Sequence, residues 1–460
     1  MIKDPRHIAV SVLVSWDKSF HTLDKSLENH SEQIDSLSKK DKNLCNALIF
    51  GVLRHRGTID WTLGAFSKTS LEKIDKPLLY LLRITCFQIM YMDRIPVFAA
   101  INTSVDIAKQ IAGQKAAGFV NAVLRKAADN FSTVVFPDPK KNRSKFISVQ
   151  FSMPLWLSGK WCQTFGFEAT SLLCQQINTI PAITLRTNTL KTDRHSLAGK
   201  LALVAKNISF TRYAPQGISF ENPSMPIQEL ETFKQGLFQI QDEAAQIATC
   251  FLSPRPGERI LDVCAGFGGK SGYIAQLMEN KGILICADIE SRKLDSLQLE
   301  SKRLGIDIVQ TKSMDILQTT IKDFDFYFDR VLLDAPCTGL GVLRRNPDTK
   351  WKRSKNDIER LSAQQKKMLG AAANLVKPGG LLAYAVCSCE TEENEAVIHK
   401  FLEKRKDFFI DTGFESNNDD TLMTSIPSKL ISEQGFLKTY PDANNMDGFF
   451  AARLRRKSIT

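Results

Sequence analysis

The sequence lacks the cysteine patterns of secreted proteins and zinc ribbons. It has ten cysteines among 460 residues, but they form no regular ladder, and no Cys-x-x-Cys pair occurs. This argues against a disulfide framework and against a zinc ribbon, so we expect no metal site. A reducing, cytoplasmic compartment fits this cysteine usage best.

Long apolar runs are also missing. Residues 1–6 contain no apolar signal core. The longest apolar stretch, residues 78–92, is interrupted by Arg83 and is shorter than the roughly 20 residues that a membrane span needs. We therefore expect no association with a membrane and interpret this stretch as a buried helix.

Acidic residues are scarce relative to basic ones in the first half of the chain. The net charge is +11. Residues 1–130 carry 18 Lys and Arg against 13 Asp and Glu, and residues 131–230 carry 11 against 5, whereas the remainder is balanced at 32 against 32. A basic platform for a polyanion such as RNA is one interpretation, and simple solubility is the other.

The hydrophobic patterning divides the chain into three parts. Residues 1–130 show helical periodicity without strand-like alternation, including separate helices at 99–110 and 118–128, and predict an all-α domain. Residues 131–250 begin with a basic, proline-bearing linker and predict a small α+β module with strands at 182–188, 207–213 and 236–240 and a helix at 198–206.

From residue 251 to 460, alternating strands and helices predict an α/β, Rossmann-like domain with a doubly wound, mostly parallel sheet. The predicted strands are 259–264, 282–288, 306–311, 330–334, 381–386 and 449–454. The predicted helices are 269–279, 291–303, 356–376 and 391–404.

A glycine-rich turn joins the first of these strands to the first helix. It contains Gly266, Gly268 and Gly269, followed by Lys270. Glycines allow a tight turn and close approach of a ligand to the backbone, and the helix N-terminus offers free N–H groups. A Walker A phosphate loop is disfavoured because Cys264 and Ala265 stand where its first glycine would be.

Acidic residues follow the next two strands. Asp288 ends the second strand, 19 residues after Gly269, and Asp315 follows the third. A carboxylate at the position of Asp288 can accept hydrogen bonds from ribose hydroxyls. This spacing suits both dinucleotide sites and S-adenosylmethionine sites.

Two cysteines stand at the ends of neighbouring predicted strands. The fourth strand leads into Asp334-Ala335-Pro336-Cys337, and the fifth ends at Cys387. Ligands of open α/β sheets bind at the carboxyl ends of the strands, so Asp334, Cys337 and Cys387 should share a cleft with the glycine turn. The other cysteines outside this edge are interpreted as small core residues.

Residues 182–456 resemble the Sun (Fmu) family of RNA cytosine-C5 methyltransferases. The matching stretches are Arg186-Thr187-Asn188, Gln241-Asp242-Glu243-Ala244, the glycine turn with Lys270, Asp334-Ala335-Pro336-Cys337, Arg344-Arg345-Asn346-Pro347-Asp348, Cys387-Ser388 with Glu392-Glu393-Asn394, and Asp447-Gly448-Phe449-Phe450. The first 130 residues resemble a NusB-like RNA-binding domain through Phe50-Gly51-Val52-Leu53-Arg54, Arg94-Ile95-Pro96 and Phe119-Val120-Asn121-Ala122-Val123-Leu124-Arg125. Together they are typical of family members that modify small-subunit ribosomal RNA.

The resemblance implies a covalent methyl transfer to RNA. Sequence position alone does not decide which of the two cysteines attacks, because both end strands at the same edge. The resemblance implies Cys387 as the nucleophile that adds to carbon 6 of cytosine and Cys337 as the group that assists product release, with Asp334 holding the base, the cofactor or both. It implies S-adenosylmethionine as the cofactor and structured RNA, with small-subunit ribosomal RNA expected, as the substrate. The residues expected to bind the cofactor are Cys264, Ala265, Gly266, Phe267, Gly268, Gly269, Lys270, Asp288, Asp315 and Asp334.

Three positions depart from the family pattern. Phe267 stands where the family usually has proline, and Asn444-Asn445 stands where a His-Gly pair is common. Cys389 replaces a usual valine or isoleucine and is interpreted as buried and inert. We expect Phe267 to alter the shape of the turn.

Two basic features have roles in this scheme. A cysteine with an unperturbed pKa of about 8.5 is only about 3% thiolate at pH 7, and the Lys270 ammonium is expected to favour the thiolate. Residues 344–355 hold six basic residues, one acid and Trp351, and are expected to grip phosphates around the target nucleotide.

Three other functions stay open from the sequence. They are methylation of transfer RNA or another RNA, a non-catalytic assembly factor for ribosomal RNA, and a nicotinamide-dependent oxidoreductase. The intact cysteines, Lys270 and Asp334 argue against the second, and the strand-end cysteines with the basic first half argue against the third. The oligomeric state and the modified cytosine cannot be read from the sequence.

Overall fold

The structure is a computed structural model that describes residues 4–19, 22–412 and 426–458. The chain forms two compact units. The first unit covers residues 1–179 together with residues 345–353, and the second covers residues 180–344 and 354–460.

Residues 4–19 and 22–130 of the first unit form α-helices and contain no strand, which confirms the all-α prediction. Ser38 caps the fourth helix by accepting a hydrogen bond from Asp41 N, and Gly113, at φ +81°, interrupts the sixth helix between the two that the sequence predicts. Leu48, Val52 and Leu63 of the fourth helix are buried in the core. The helices are α1 (Pro5–Lys18), α2 (Leu23–Glu28), α3 (Ser31–Asp35), α4 (Lys39–Phe66), α5 (Lys76–Tyr91) and α6 (Val97–Asn130).

Further helices of the first unit lie in residues 143–177 and 349–352. The sequence pattern predicts none of the three between residues 143 and 177, and it does not place residues 345–353 with the helical part of the chain. Thr58 of α4 donates to Val149 O at 2.7 Å, and Asn178 donates to Phe151 O at 2.7 Å. The helices are α7 (Arg143–Gln150), α8 (Leu155–Phe165), α9 (Phe167–Ile177) and α15 (Thr349–Lys352).

The second unit opens with a small α+β module, as predicted. Its antiparallel sheet has the strand order β2-β3-β1-β4. The helix predicted at 198–206 begins earlier, at Arg194, because Asp193 accepts hydrogen bonds from the backbone of His195 and Ser196 at 2.9 Å. The elements are β1 (Ile183–Thr187), α10 (Arg194–Leu201), β2 (Lys206–Phe210), β3 (Gly217–Glu221), which the sequence did not reveal, α11 (Glu231–Lys234) and β4 (Phe238–Ile240).

The rest of the second unit is the predicted α/β, Rossmann-like domain. Its eight-stranded sheet has the order β10-β12-β9-β8-β5-β6-β7, with β11 paired to β12. The strands are β5 (Arg259–Val263), β6 (Ile283–Asp288), β7 (Val309–Ser313), β8 (Phe328–Asp334), β9 (Val376–Val386), β10 (Phe408–Ile410), β11 (Leu437–Thr439) and β12 (Phe449–Arg456). The helices described are α12 (Glu243–Leu252), α13 (Gly269–Leu277), α14 (Ser291–Leu304), α16 (Lys355–Ala373), α17 (Glu395–Lys404) and α18 (Pro441–Asn444).

The connections of this sheet reverse direction beside β5. Strands β9, β8, β5, β6 and β7 are parallel, and β12 is antiparallel to β9. From β5 the chain proceeds outward to β6 and β7 and then crosses back to β8. Ile260 and Leu261 of β5 belong to the cores on opposite faces of the sheet. Such a reversal leaves a crevice at the carboxyl ends of the central strands.

One further property concerns the helices alone. Within the described ranges, no helix combines the length and the hydropathy that crossing a membrane requires.

Candidate active site

A cleft of about 460 Å³ opens at the carboxyl ends of β5, β6, β8 and β9. Its size lies within the range usual for small-molecule sites. The predicted site residues that line it are Cys264, Gly266, Asp288, Asp315, Asp334, Cys337 and Cys387. The topology therefore brings together side chains that are up to 123 positions apart in the sequence.

The glycine turn owes its shape to three residues with positive φ. These are Cys264 at +63°, Gly266 at +57° and Gly268 at +82°. A Cβ atom on Gly268 would lie 2.7 Å from Leu297 Cγ of α14, so this position requires glycine for both reasons. Helix α13 begins at Gly269 directly after the turn.

Five of the residues predicted to bind a cofactor lie in the turn or the first turn of α13 and not in the wall of the cleft. They are Ala265, Phe267, Gly268, Gly269 and Lys270. Ala265 N donates to Ala287 O at 2.9 Å and ties the turn to β6. The Phe267 ring, at the position where proline is usual, is 65% exposed. A large side chain is therefore accommodated there by projecting into solvent.

Asp288 joins the turn to the end of β6. One carboxylate oxygen accepts from Gly266 N at 3.0 Å, and the other accepts from Glu290 N at 2.9 Å. Asp315, after β7, accepts from Leu317 N at 2.9 Å and is partly exposed. Both aspartates face the same cleft, as the sequence predicts.

Asp262 is a buried carboxyl group beneath the turn that the sequence interpretation did not single out. It is 1% exposed, and one oxygen accepts from Ser271 Oγ at 2.6 Å. Burial, opposed by this hydrogen bond, raises the pKa of Asp262 to about 7. The sequence feature that could have identified it is an acidic residue between the apolar residues Leu261 and Val263 of strand β5.

Lys270 extends from the first turn of α13 to the end of β8. Its Nζ donates to Asp334 Oδ2 at 2.6 Å and lies 4.9 Å from the centre of the Phe449 ring. Burial lowers the pKa of Lys270, but Asp334 and, to a smaller extent, Cys387 and Asp262 raise it more, so the net change is upward. Lys270 is therefore a permanent ammonium beside the cysteines.

The two strand-end cysteines face each other. The Sγ atoms of Cys337 and Cys387 are 3.3 Å apart. The hydrogen bond with Cys387, followed by burial, raises the pKa of Cys337 well above its usual range. Cys337 is therefore a neutral thiol at neutral pH.

Glu393 lies behind the two cysteines and was not assigned a role from the sequence. It is fully buried and accepts hydrogen bonds from Thr338 N at 2.8 Å and from Thr338 Oγ1 and Ser388 Oγ at 2.5 Å each. The sequence feature that could have identified Glu393 is its position six residues after Cys387, in a stretch that resembles the family.

The expectation that the whole of residues 344–355 grips phosphates is wrong. Residues 345–353 belong to the first unit, where Lys350 is fully buried and donates to Arg54 O at 2.8 Å. Trp351 Nε1 donates to Leu53 O at 2.6 Å. A run of basic residues indicates exposure to solvent or binding of phosphate only when its N–H groups have no acceptor within the protein. Here backbone carbonyl groups of the helical unit accept hydrogen bonds from Lys350 and Trp351.

The remaining cysteines agree with their interpretation as core residues, with one exception. Cys162 is only half-buried. The extra thiol of Cys389 is 5% exposed, and burial raises its pKa well above the usual range. The buried cysteines are Cys45, Cys86, Cys174, Cys250, Cys286 and Cys389.

Comparison with known families gives three matches along the chain. Residues 249–455 match the 16S rRNA methyltransferase RsmB/F family. Residues 3–129 match the NusB family, and residues 153–228 match a ferredoxin-like domain of RsmF/B-like methyltransferases. These matches are to the same families and domain types that the sequence motifs resemble.

Individual relatives extend over nearly the whole chain. A probable ribosomal RNA small subunit methyltransferase B from Synechocystis sp. is 34% identical, with 94% of each chain covered. One with the same name from Bacillus subtilis is 32% identical, with 98% of each covered. The crystal structure of a methyltransferase homologue from Pyrococcus horikoshii superposes with a TM-score of 0.56 at 26% identity, covering 70% of this chain and all of that one.

Proposed function

Since this chain belongs to the family of ribosomal RNA small subunit methyltransferases B, we propose that it transfers a methyl group to carbon 5 of a cytosine in 16S ribosomal RNA through a Cys387 adduct. The observation that carries the mechanism is the pair of cysteines 3.3 Å apart, with the Lys270–Asp334 ion pair at the same edge of the sheet.

The cleft has the properties that S-adenosylmethionine requires. Asp288 and Asp315 offer carboxylate oxygens to ribose hydroxyls, and the turn at Gly266 brings backbone close to the ligand. Asp334 and the wall beside Cys264 complete the site. When bound, S-adenosylmethionine supplies the methyl group.

Cys387 makes the first bond of the reaction. Its thiolate adds to carbon 6 of cytosine, the ring becomes an enamine, and carbon 5 becomes nucleophilic. The Lys270 ammonium interacts electrostatically with Cys387. A positive charge held there stabilises the negative charge on the attacking sulfur and thereby promotes attack.

Cys337 is suited to act after that attack. The largest cause of its raised pKa is its hydrogen bond with Cys387. Once the sulfur of Cys387 is bonded to carbon 6, it no longer carries a negative charge, so the Cys337 thiol can release its proton to solvent. The Cys337 thiolate then takes the proton from carbon 5, the double bond between carbons 5 and 6 re-forms, and Cys387 leaves carbon 6 as a thiolate.

Asp334 is placed to orient the base. One oxygen is held by Lys270, and the side chain is 32% exposed towards the cleft. A carboxylate in this position accepts hydrogen bonds from the exocyclic amino group of cytosine, which uracil lacks. This would direct the enzyme to cytosine.

The first half of the chain supplies affinity for RNA in this proposal. Residues 1–130 carry a net charge of +5, and residues 131–230 carry +6. We assign RNA binding to a helical domain over 1–130 and to the linker and small module over 131–250, and methyl transfer to 251–460. The reaction would take place in the cytoplasm, where ribosomal RNA is assembled.

Two cysteine variants test the mechanism. The protein is incubated with 16S ribosomal RNA and radiolabelled cofactor and run on a denaturing gel, while bisulfite sequencing identifies the modified cytosine. Cys387→Ala cannot form the bond to carbon 6 and should give no adduct. Cys337→Ala should attack and methylate but release slowly, so protein–RNA adduct should accumulate.

Cys162→Ala, which removes a half-buried thiol of the first unit, is the matched control. Adduct from Cys387→Ala but not from Cys337→Ala would reverse the two roles. Full turnover in both variants would exclude the covalent mechanism, and methylation of transfer RNA but not of ribosomal RNA would change the substrate.

A further inference from the structure

A single buried carboxylate is connected to both cysteine-bearing loops. Glu393 lies between β9 and α17 and is fully buried. It accepts four hydrogen bonds: from Thr338 N (2.8 Å), Thr338 Oγ1 (2.5 Å), Ser388 Oγ (2.5 Å) and Gln365 Nε2 (3.1 Å). No lysine or arginine of the described ranges forms an ion pair with it. Its charge is therefore balanced by neutral donors alone.

The positions of these donors in the sequence matter. Thr338 directly follows Cys337, and Ser388 directly follows Cys387. The loops after β8 and β9 thus donate hydrogen bonds to the same carboxylate. The loop after β8 donates through the backbone N–H and the hydroxyl of Thr338, and the loop after β9 donates through the hydroxyl of Ser388. Since each hydroxyl is one residue from a reacting sulfur, moving either one would move that sulfur.

Glu393 is itself held firmly. Its backbone oxygen accepts from Tyr384 OH of β9 at 2.6 Å, and the neighbouring Asn394 donates to Ser388 O at 3.2 Å. Gln365 of α16 also donates to Pro336 O at 3.0 Å, on the loop that leads to Cys337. The carboxylate is therefore anchored to β9 and α16, and it cannot follow either loop without breaking these bonds.

The charge of Glu393 also distinguishes the two sulfurs. After the hydrogen bond with Cys387 and burial, this charge is one of the smaller causes that raise the pKa of Cys337. Lys270, by contrast, interacts with Cys387. The two sulfurs therefore have neighbours of opposite charge, the Glu393 carboxylate for Cys337 and the Lys270 ammonium for Cys387.

We propose that Glu393 is a positioning residue that holds the two cysteine loops at their working separation through Thr338 and Ser388. This rests on the proposed covalent mechanism. We call this arrangement the clamp, and its two arms are the hydrogen bonds from Ser388 and from Thr338 to Glu393. The clamp acts on two different steps, because Ser388 lies next to the attacking sulfur and Thr338 lies next to the sulfur that assists release.

The two arms can be removed separately in the full-length protein. Ser388→Ala removes the arm beside Cys387, and we expect adduct formation, measured by rapid quench in a Cys337→Ala background, to slow by about 10-fold or more. Thr338→Val removes the hydroxyl arm beside Cys337, and we expect adduct to form at the normal rate but to persist. Ser362→Ala on α16, which removes a buried hydroxyl that donates only to Glu359 O, is the matched control.

Removal of the carboxylate charge should combine both effects. Glu393→Gln should lower kcat by about 10- to 100-fold while KM for RNA and the Kd for S-adenosylmethionine stay within about twofold of the wild-type values. A general loss of structure would instead raise KM and Kd, and this result would overturn the proposal. If Glu393→Gln does not fold, the Ser388 and Thr338 variants decide the question by themselves.

The proposal and the mechanism on which it rests fail in different ways. Absence of adduct in Cys337→Ala itself would remove the covalent mechanism. Normal adduct in Cys337→Ala, together with wild-type kinetics in Ser388→Ala and Thr338→Val, would leave the mechanism in place and exclude the clamp. The same would follow if both variants slowed the same step.

Discussion

Lys270 Nζ lies 2.6 Å from Asp334 Oδ2, and this ion pair joins the first turn of α13 to the carboxyl end of β8. A lysine at a helix N-terminus opposes the helix dipole, so its location needs a compensating interaction. Asp334 provides this compensation. The charged Lys270 side chain therefore stays buried at the edge of the sheet, where it interacts with Cys387.

Removal of this charge should slow attack on the base. We expect Lys270→Met to reduce the rate of adduct formation by about 30-fold, or about 2 kcal/mol, because the ammonium no longer stabilises the negative charge on the attacking sulfur. Single-turnover adduct formation measures the effect, with the exposed Lys302→Met on α14 as control. Adduct formation at the wild-type rate would show that Lys270 does not assist the attack.

Asp288 should be needed for binding of the cofactor. Its carboxylate holds Gly266 N and is placed to accept from ribose hydroxyls, so Asp288→Ala should weaken S-adenosylmethionine binding by about 1–3 kcal/mol in calorimetry. Asp295→Ala, which removes an exposed carboxylate on α14, should bind normally. In a thermal-shift assay, S-adenosylmethionine should stabilise the wild-type protein and NAD should not. Unchanged affinity in Asp288→Ala would remove this residue from the site.

The basic linker should contribute to RNA binding. Lys140 and Lys141 are exposed in the stretch that carries a net charge of +6. Replacing both with glutamine should weaken RNA binding and reduce the slope of log K against log salt by about 1–2, because fewer counterions are released. The exposed Lys281→Gln in the catalytic part is the control. A slope equal to that of the wild-type protein would mean that the linker does not lie on RNA.

Lys350 should make the stability of the first unit dependent on pH. Burial lowers the pKa of Lys350 to about 7, whereas the unfolded chain keeps the usual value of about 10.4. Between these values the unfolded chain binds more protons than the folded chain, so the free energy of unfolding rises with pH across this window.

Lys350→Met removes this dependence. The variant should gain stability relative to the wild type at pH 7, and this relative gain should fall by up to about 2–3 kcal/mol as the pH rises from 7 to 9.5. Urea unfolding at several pH values measures it, with the exposed Lys109→Met on α6 as control. Parallel pH profiles for wild type and Lys350→Met would show that Lys350 is already charged or solvated in the folded protein.

Burial of Lys350 also bears on how the helical part can be studied. Residues 345–353 pack among helices of the first unit, and Lys350 and Trp351 donate to carbonyl groups of α4. Deleting residues 1–130 would leave these donors and the Trp351 ring without their partners. Surface substitutions such as those of Lys140 and Lys141 are therefore the cleaner test of RNA binding.

The sequence by itself determined the architecture and most of the cleft. Strands β5, β6 and β8 were predicted within two residues of their observed bounds, because buried parallel strands read as short apolar runs between helical segments. Once these strands were placed, the rule that ligands bind at their carboxyl ends located Asp288, Asp334, Cys337 and Cys387.

Only the tertiary structure decided which of these groups face each other. It also decided which basic side chains are exposed to solvent and which are buried against acceptors within the protein. The contact between Cys337 and Cys387 at 3.3 Å joins residues that are distant in sequence, and so does the hydrogen bond from the buried Lys350 to Arg54 O. The hydrogen bonds of Glu393 do the same, apart from the short link to Ser388. Local patterns of charge and hydrophobicity report whether a residue tends to be buried. They do not report which partner satisfies it, because that depends on packing between elements that the pattern leaves unplaced.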